Sequence, residues 1–166
     1  SFILFLTTLI FKKWHLVKVN LINKKNFFIL LLTSILIFGN WTAWIYAVST
    51  NRIIDASYGY FIFPILSVFF DYLFLKEKLN KKRVFSILIV VGSSVYLAFN
   101  LLMFPWIGIL VAILWATYNL LRKLIIVETD IGLFIESLFI LPIAIIVFFF
   151  IFQKGVNDFS FANPKI

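Results

Sequence analysis

Six stretches of the chain are almost purely apolar, and short gaps rich in lysine, arginine and asparagine separate them. A helix that crosses a hydrocarbon core of about 30 Å needs about 20 apolar residues. Five stretches are close to that length, at residues 27 to 49, 56 to 75, 84 to 102, 105 to 125 and 132 to 152. The first stretch has only 11 residues before Lys12, and we interpret it as the inner end of a helix that begins earlier. The pattern predicts an all-α fold, a polytopic transmembrane helical bundle.

The basic residues fall almost entirely in alternate gaps. Twelve of the 15 Lys and Arg residues lie in the first, third and fifth gaps, and only Arg52, Lys154 and Lys165 lie in the others. Because Lys and Arg in short loops resist translocation, we expect the odd gaps to face the cytoplasm and the gap at Arg52 to face outside. The predicted location is the cell inner (plasma) membrane. The first gap, residues 12 to 26, is either an interfacial amphipathic segment or a solvated loop.

The composition is typical of a membrane protein and indicates which partners the basic residues have. Hydrophobic residues make up 63% of the chain and the mean hydropathy is +1.08, whereas soluble domains are roughly half apolar. The net charge is +8, but the basic residues flank apolar spans, so we expect anionic lipid headgroups and not nucleic acid as their partner. The chain has no Cys and a single His, His15. We therefore expect no disulfide, no metal site and no cofactor.

Polar side chains inside the spans mark the faces that we expect to avoid lipid. One stripe, in the span from 56 to 75, consists of Ser57, Tyr60, Pro64, Ser67 and Asp71. These positions fall within an arc of about 80° on a helix. Pro64 also leaves the carbonyl of Tyr60 without its helical donor, which is tolerated only against protein or a water-lined cavity. The stripe predicts a cavity-lining helix, and helix packing with a structural kink is the alternative.

Two further spans carry similar stripes. In the span from 27 to 49 the shared face holds Thr33, Asn40, Ala43, Trp44 and Ala47, and in the span from 105 to 125 it holds Trp115, Tyr118, Asn119 and Arg122. Gly108, Ala112 and Ala116 form a ladder of small residues suited to close helix packing. Inward aromatic and amide groups predict a pocket for a small amphipathic or aromatic solute, with aromatic core packing as the alternative. The candidate substrate-binding residues are Asn40, Trp44, Tyr60, Pro64, Ser67, Trp115, Tyr118 and Asn119.

Two carboxylates lie within the spans, Asp71 and Glu136. Each is a few residues from the end that we expect to be cytoplasmic, at the level of Arg122 and Lys123. One interpretation is that these four residues form ion pairs that close a gate at that end. Snorkelling or static pairing is a second, and a proton relay is a third.

Several motifs in one order resemble those of a known family. The segments are Gly39-Asn40-Trp41, Ala56-Ser57-Tyr58-Gly59-Tyr60-Phe61-Ile62-Phe63-Pro64, Phe74-Leu75-Lys76-Glu77-Lys78, Tyr118-Asn119-Leu120-Leu121-Arg122-Lys123, Ile135-Glu136-Ser137 and Leu141-Pro142. They resemble the RarD-type permeases, a branch of the EamA transporters in the drug/metabolite transporter superfamily. Three positions depart from the pattern: Phe63 replaces a usual Asn, Lys76 a usual Gly, and Asp71 a small or apolar residue.

The resemblance implies a ten-helix transporter built from two inverted five-helix repeats. Residues 1–102 would be the rest of the first repeat, from the end of helix two to helix five. Residues 105–152 would be helices six and seven, at the start of the second repeat, and residues 153–166 a truncated external loop. The implied function is a permease that moves a small metabolite or drug-like solute by alternating access.

The sequence leaves alternatives to a permease. One is an integral membrane enzyme, but such enzymes usually need a His, a carboxylate pair or a metal cluster near an interface. Here the one His lies in a basic loop and the span carboxylates are single, so we expect no enzyme. The other is a membrane subunit that does not transport. The oligomeric state is open between a monomer and a homodimer.

Overall fold

The computed structural model describes residues 5, 8, 9, 11–100 and 104–153. Six α-helices and no β-strand occur in this described part of the chain, so the predicted all-α bundle is confirmed. The helices are α1 (Trp14–Ile22), α2 (Lys24–Ser49), α3 (Ile53–Phe74), α4 (Lys81–Asn100), α5 (Trp106–Lys123) and α6 (Thr129–Gln153). The first polar gap is thus helical, and α2 begins where the side chain of Asn23 accepts hydrogen bonds from the backbone N–H groups of Lys25 and Asn26.

Four of these helices are long and apolar enough to cross a membrane: α2, α3, α4 and α6. The sequence predicts five such spans, and the difference is α5. This helix has 18 residues and carries Arg122 and Lys123 in its last turn, which lowers its hydropathy. It is also the helix most enclosed by its neighbours, with Ile107, Val111 and Ala112 fully or almost fully buried. Contact with protein replaces contact with lipid along much of α5.

Helices α2 to α6 run alternately between two ends of the bundle. At one end, named the Arg52 end, Arg52 Nη2 donates to the carbonyl of Phe104 over 3.2 Å. At the other, named the basic end, Lys123 Nζ donates to Asp71 Oδ2 over 2.6 Å. The first, third and fifth polar gaps therefore meet at the basic end, as the alternation of apolar and polar segments predicts.

The closest helix crossing joins α3 and α5, which run parallel. Gly59 and Gly108 meet there: a Cβ on Gly59 would lie 2.6 Å from the carbonyl oxygen of Gly108, and a Cβ on Gly108 would overlap the carbonyl oxygen of Asp55. Ala112 and Ala116 continue the crossing and are buried. The predicted packing role of the small-residue ladder is confirmed, because small residues let two backbones approach closely where no hydrophobic effect drives helices together in lipid.

The two buried apolar clusters lie at opposite ends. One joins α1, α2 and the start of α6 through Val17, Leu30, Ile131, Phe134 and Ile135, with Ile125 from the preceding loop. The other joins α2, α3 and α5 through Ala47, Ala56, Ile107 and Val111. Packing at the basic end therefore holds only the first half of α6. All ten residues from 141 to 150 are exposed in this chain.

Helix α4 lies at the edge of the bundle. Its main contact is with α3, where the hydroxyl of Tyr58 donates to the carbonyl of Ser94 over 2.8 Å. The short connection at Met103 and Phe104 predicts an antiparallel α4–α5 hairpin. The two helices are antiparallel, but they do not pack extensively on each other. Both pack on α3 instead, because the Gly59–Gly108 crossing makes α3 the closer neighbour of α5.

The turn after α3 includes Lys76, one of the positions that depart from the family pattern. Lys76 has φ of 53°, in the left-handed region. A side chain with a Cβ costs roughly 1 kcal/mol or more in this region, whereas glycine adopts it freely. The usual Gly at this position of the resembling family is therefore the residue that the turn favours.

Candidate functional site

Glu136 is the centre of a buried polar cluster formed by α2, α5 and α6. Its side chain is 2% exposed. The hydroxyl of Thr33 on α2 donates to Oε1 over 2.6 Å, and the hydroxyl of Tyr118 on α5 donates to Oε2 over 3.2 Å. Arg122 Nη1 lies 3.9 Å from Oε1. One carboxylate thus joins three helices, which meets the requirement that a buried charge be paired and hydrogen-bonded.

The guanidinium of Arg122 is held beside this carboxylate without a direct hydrogen bond to it. Its Nη1 atom is buried and has no hydrogen-bond partner. Gly132 on α6 gives the group room, because a Cβ at that position would overlap the guanidinium. A buried donor without a partner costs free energy. A small movement that brings Nη1 within hydrogen-bonding distance of Glu136, or of another acceptor, would therefore be favourable. This ion pair is therefore loosely made in this conformation.

A groove of about 660 Å³ lies between α2 and α6. Apolar and aromatic side chains line it, with Glu136 and Ser137 as the exceptions. The lining residues are Ile37, Phe38 and Trp41 on α2, and Leu133, Glu136, Ser137, Ile140, Leu141, Ala144, Ile145 and Phe148 on α6. Trp41 and Phe148 are mostly exposed, so the groove is open on one side. Its volume and its few polar groups are typical of sites for small organic ligands.

Asp71 is the second carboxylate of the basic end, and it is 3% exposed. It pairs with Lys123 at 2.6 Å and lies 3.7 Å from Arg83 Nη2. Arg83 in turn bonds Glu77 over 2.9 Å. This network links the end of α3 to the ends of α4 and α5. The four residues of the predicted gate therefore form two separate pairs, Asp71 with Lys123 and Glu136 with Arg122.

A third ion-paired group at the basic end ties the chain before α1 to α6. Lys13 Nζ lies 2.5 Å from Glu128 and 2.8 Å from Asp130. Hydrogen bonds to Asp130 and Glu128 raise the pKa of Lys13 above its ordinary value. Lys13 is therefore charged throughout the physiological pH range.

Three of the predicted substrate-binding residues come together between α2, α3 and α5. Asn40, Tyr60 and Trp115 border a cavity of about 10 Å³, which is room for about one water molecule. Asn40 is buried, and its Nδ2 donates to the carbonyl of Val111 over 3.1 Å. In this conformation the three residues enclose only this small space, and the large open volume lies on the neighbouring side of α2.

The other predicted substrate-binding residues are spread over several environments. The rings of Trp44 and Tyr60 lie 5.7 Å apart in a tilted arrangement, and the buried Nε1 of Trp44 has no hydrogen-bond partner. Trp115 and Tyr118 stack at 5.4 Å. Asn119 bonds the carbonyl of Trp115 in its own helix. Pro64 is exposed and Ser67 is half-buried, and their place in the site stays a prediction.

Sequence reasoning missed a polar cluster at the Arg52 end. Asp55 is 8% exposed, and its Oδ1 accepts a hydrogen bond from the backbone N–H of Gly108 over 2.9 Å. Its Oδ2 bonds Arg52 over 2.6 Å. The guanidinium of Arg52 also lies 5.2 Å from the ring centroid of Trp106. Asp55 thus satisfies one of the free N–H groups at the start of α5. The available signal was the i, i+3 spacing of Arg52 and Asp55.

The helices, their lengths and the paired charges at their ends define a multi-pass membrane protein. The model of the EamA-like transporter family matches residues 1–99, and the chain belongs to this family. The resemblance seen in the sequence is confirmed. No solved structure matches the chain.

Individual relatives agree with the family. An uncharacterized transporter from Vibrio cholerae is 34% identical over 152 residues, which are 90% of this chain and 49% of that protein. A protein named RarD from Salmonella typhi is 32% identical over 146 residues, 88% of this chain and 50% of that protein. The uncharacterized transporter YojE of Bacillus subtilis is 38% identical over 116 residues, 70% of this chain and 39% of that protein. The chain spans about half the length of the first two relatives.

Proposed function

We propose that the complete protein is a permease that moves a small metabolite or drug-like solute across the bacterial inner membrane. The observation that carries the proposal is the apolar groove between α2 and α6, which has a paired carboxylate on its wall. The groove lies in a bundle that belongs to a family of transporters. Packing closes the basic end around Val17, Leu30 and Phe134, whereas the second half of α6 is exposed. A solute path that is closed at one end is the arrangement that alternating access requires.

The proposed cycle moves one five-helix repeat against the other. The repeat boundary is proposed between residues 102 and 105, and the end of the family match at residue 99 supports it. In this scheme α2 belongs to the first repeat, and α5 and α6 belong to the second. The contacts of Glu136 with Thr33, and of Asp71 with Lys123, join the two repeats and would then hold the basic end shut. Their release would open it.

A groove-filling substitution tests the proposal directly. Ala144 is exposed and lines the groove, so Ala144→Trp should fill part of it and slow solute flux at least about tenfold, without disturbing the buried clusters. The measurement is flux of amino acids, nucleosides and amphenicols into proteoliposomes that contain the complete gene product.

Val147→Trp is the matched control for this test. It places the same indole on the same helix, at an exposed position outside the groove lining. Its flux should equal that of the parent protein. Equal flux through the Ala144→Trp and parent proteins would show that the solute path lies elsewhere.

The proposed orientation places the basic end in the cytoplasm and the Arg52 end outside, with lipid headgroups around the basic end. Single cysteines at Asn51, Lys18 and Asn80, all of which are exposed, test it in intact cells. An impermeant maleimide should label Asn51→Cys alone. Asn20, also in the first gap, is unsuitable because it is buried and bonded to Asn26. Labelling at Lys18 and Asn80 without labelling at Asn51 would reverse the orientation.

A further inference from the structure

The groove between α2 and α6 has one ionisable side chain among its described lining residues, Glu136. The remaining lining is apolar or aromatic except for Ser137, whose hydroxyl donates to the carbonyl of Phe134 in its own helix. Arg122, the cation that pairs with Glu136, does not line the groove. A solute in the groove therefore lies beside one carboxylate, which is 2% exposed, on an otherwise apolar wall.

The carboxylate of Glu136 has unused acceptor capacity. An ionised carboxylate offers about four lone-pair positions on its two oxygens. Thr33 and Tyr118 occupy two of them with hydrogen bonds. At 3.9 Å the guanidinium of Arg122 balances the charge but forms no hydrogen bond to it. A donor that carries a positive charge would bind more strongly there than a neutral one.

We infer that the groove takes amphipathic amines, in which a protonated amine reaches Glu136 and an aromatic or aliphatic body fills the space between α2 and α6. This inference deepens the proposed permease function and rests on it. The ammonium group competes with Arg122 for the carboxylate. Occupancy of the groove thereby frees Arg122, and it places the solute beside the Glu136–Thr33 hydrogen bond that joins the two repeats.

The same geometry disfavours acids and neutral analogues of equal shape. A carboxylate in the groove would lie beside Glu136, and like charges in a site of low dielectric constant repel strongly. An alcohol can donate a hydrogen bond, but it carries no charge to replace the guanidinium. Selectivity should therefore follow head-group charge at constant body size.

Three probes of one shape test the inference: naphthylmethylamine, naphthylmethanol and naphthoic acid. Binding to the purified complete protein is measured at pH 7 by equilibrium dialysis, and flux is measured separately in proteoliposomes. We expect the amine to bind about tenfold or more tightly than the alcohol, since hydrogen bonds between charged groups are worth roughly that factor. The acid should bind most weakly. Equal binding of all three probes, preference for the acid, or no binding by any of them would overturn the inference.

Two variants give opposite expectations. Glu136→Gln should remove the preference for the amine over the alcohol, whereas Arg122→Gln should tighten amine binding because the competing cation is gone. Glu128→Gln removes a carboxylate at the basic end outside the groove, so it should change neither the affinity for the amine nor the preference for the amine over the alcohol. If Glu136→Gln fails to fold, the Arg122→Gln variant still tests the inference. Weaker amine binding to Arg122→Gln would contradict competition between the amine and Arg122 for Glu136. Selective amine binding without flux would support the inference and refute the proposed transport function. Flux without a preference for the amine would support the transport function and refute the inference.

Discussion

Gly108→Ala is expected to destabilise the protein by about 1 to 3 kcal/mol, although alanine is the better helix former. The added methyl group would overlap the carbonyl oxygen of Asp55 and lie 3.0 Å from the backbone nitrogen of Gly59. Neither atom belongs to a flexible side chain, so α3 and α5 must separate. The measurement is the midpoint of thermal unfolding of the purified complete protein, followed by tryptophan fluorescence.

Gly92→Ala is the matched control for this prediction. Gly92 lies inside α4, and a Cβ there would have no neighbour within 4 Å. The same substitution should therefore stabilise the protein by about 0.5 to 1 kcal/mol, because alanine loses less backbone entropy than glycine. The two variants should shift the unfolding midpoint in opposite directions. A midpoint that rises in both would mean that the α3–α5 crossing has room to relax.

The fold was largely predictable because the sequence signals for membrane helices are long and redundant. Each span needs about 20 apolar residues, and the basic gaps mark alternate ends. The observed helices end within a few residues of the predicted spans. The exception is informative: α5 is sheltered by protein, so its sequence is under less pressure to be apolar along its whole length.

The sequence predicts where the helices lie along the chain better than it predicts which helices pack on each other. A stripe gives the direction of a helix face, but it does not say which neighbour lies there. On α3 the polar stripe predicts the inward side, yet Tyr60 and Pro64 are exposed, whereas Ala56 and Gly59 are buried. Close packing in a membrane selects small residues, because they admit a neighbouring backbone. The small residues of α3, not its polar ones, therefore mark the face toward α5.

Individual residues of the candidate site could be predicted from the sequence, but their partners on other helices could not. Glu136 and Arg122 stand out in sequence because ionisable groups are rare in spans. Thr33 also lies on the predicted stripe of α2, but its partner Glu136 is 103 residues away. No spacing rule reaches over that distance. The groove also depends on how α6 packs on α1 and α2 at the basic end, and that packing involves residues outside the groove lining.

Asp55 is the residue for which sequence reasoning and structure differ most. It lies one position before the predicted span and therefore resembles a loop residue in the sequence. In the structure it is buried and accepts hydrogen bonds from Gly108, 53 positions away, and from Arg52. Its carboxylate joins the starts of α3 and α5 at the Arg52 end, where α3 and α5 make their closest approach.

Asp55→Ala should therefore destabilise the protein by about 2 to 4 kcal/mol, since it leaves a buried N–H of Gly108 and the cation of Arg52 without their partner. Asp55→Asn keeps an oxygen for Gly108 but loses the charge, so about half of that loss is expected. Asp130→Ala removes a carboxylate from a more exposed ion pair, and its effect should be smaller than either. Thermal unfolding of the four proteins gives the order directly. Equal losses in the Asp55→Asn and Asp55→Ala proteins would show that the hydrogen bond to Gly108 adds nothing, and that the charge pair with Arg52 alone joins the two helices.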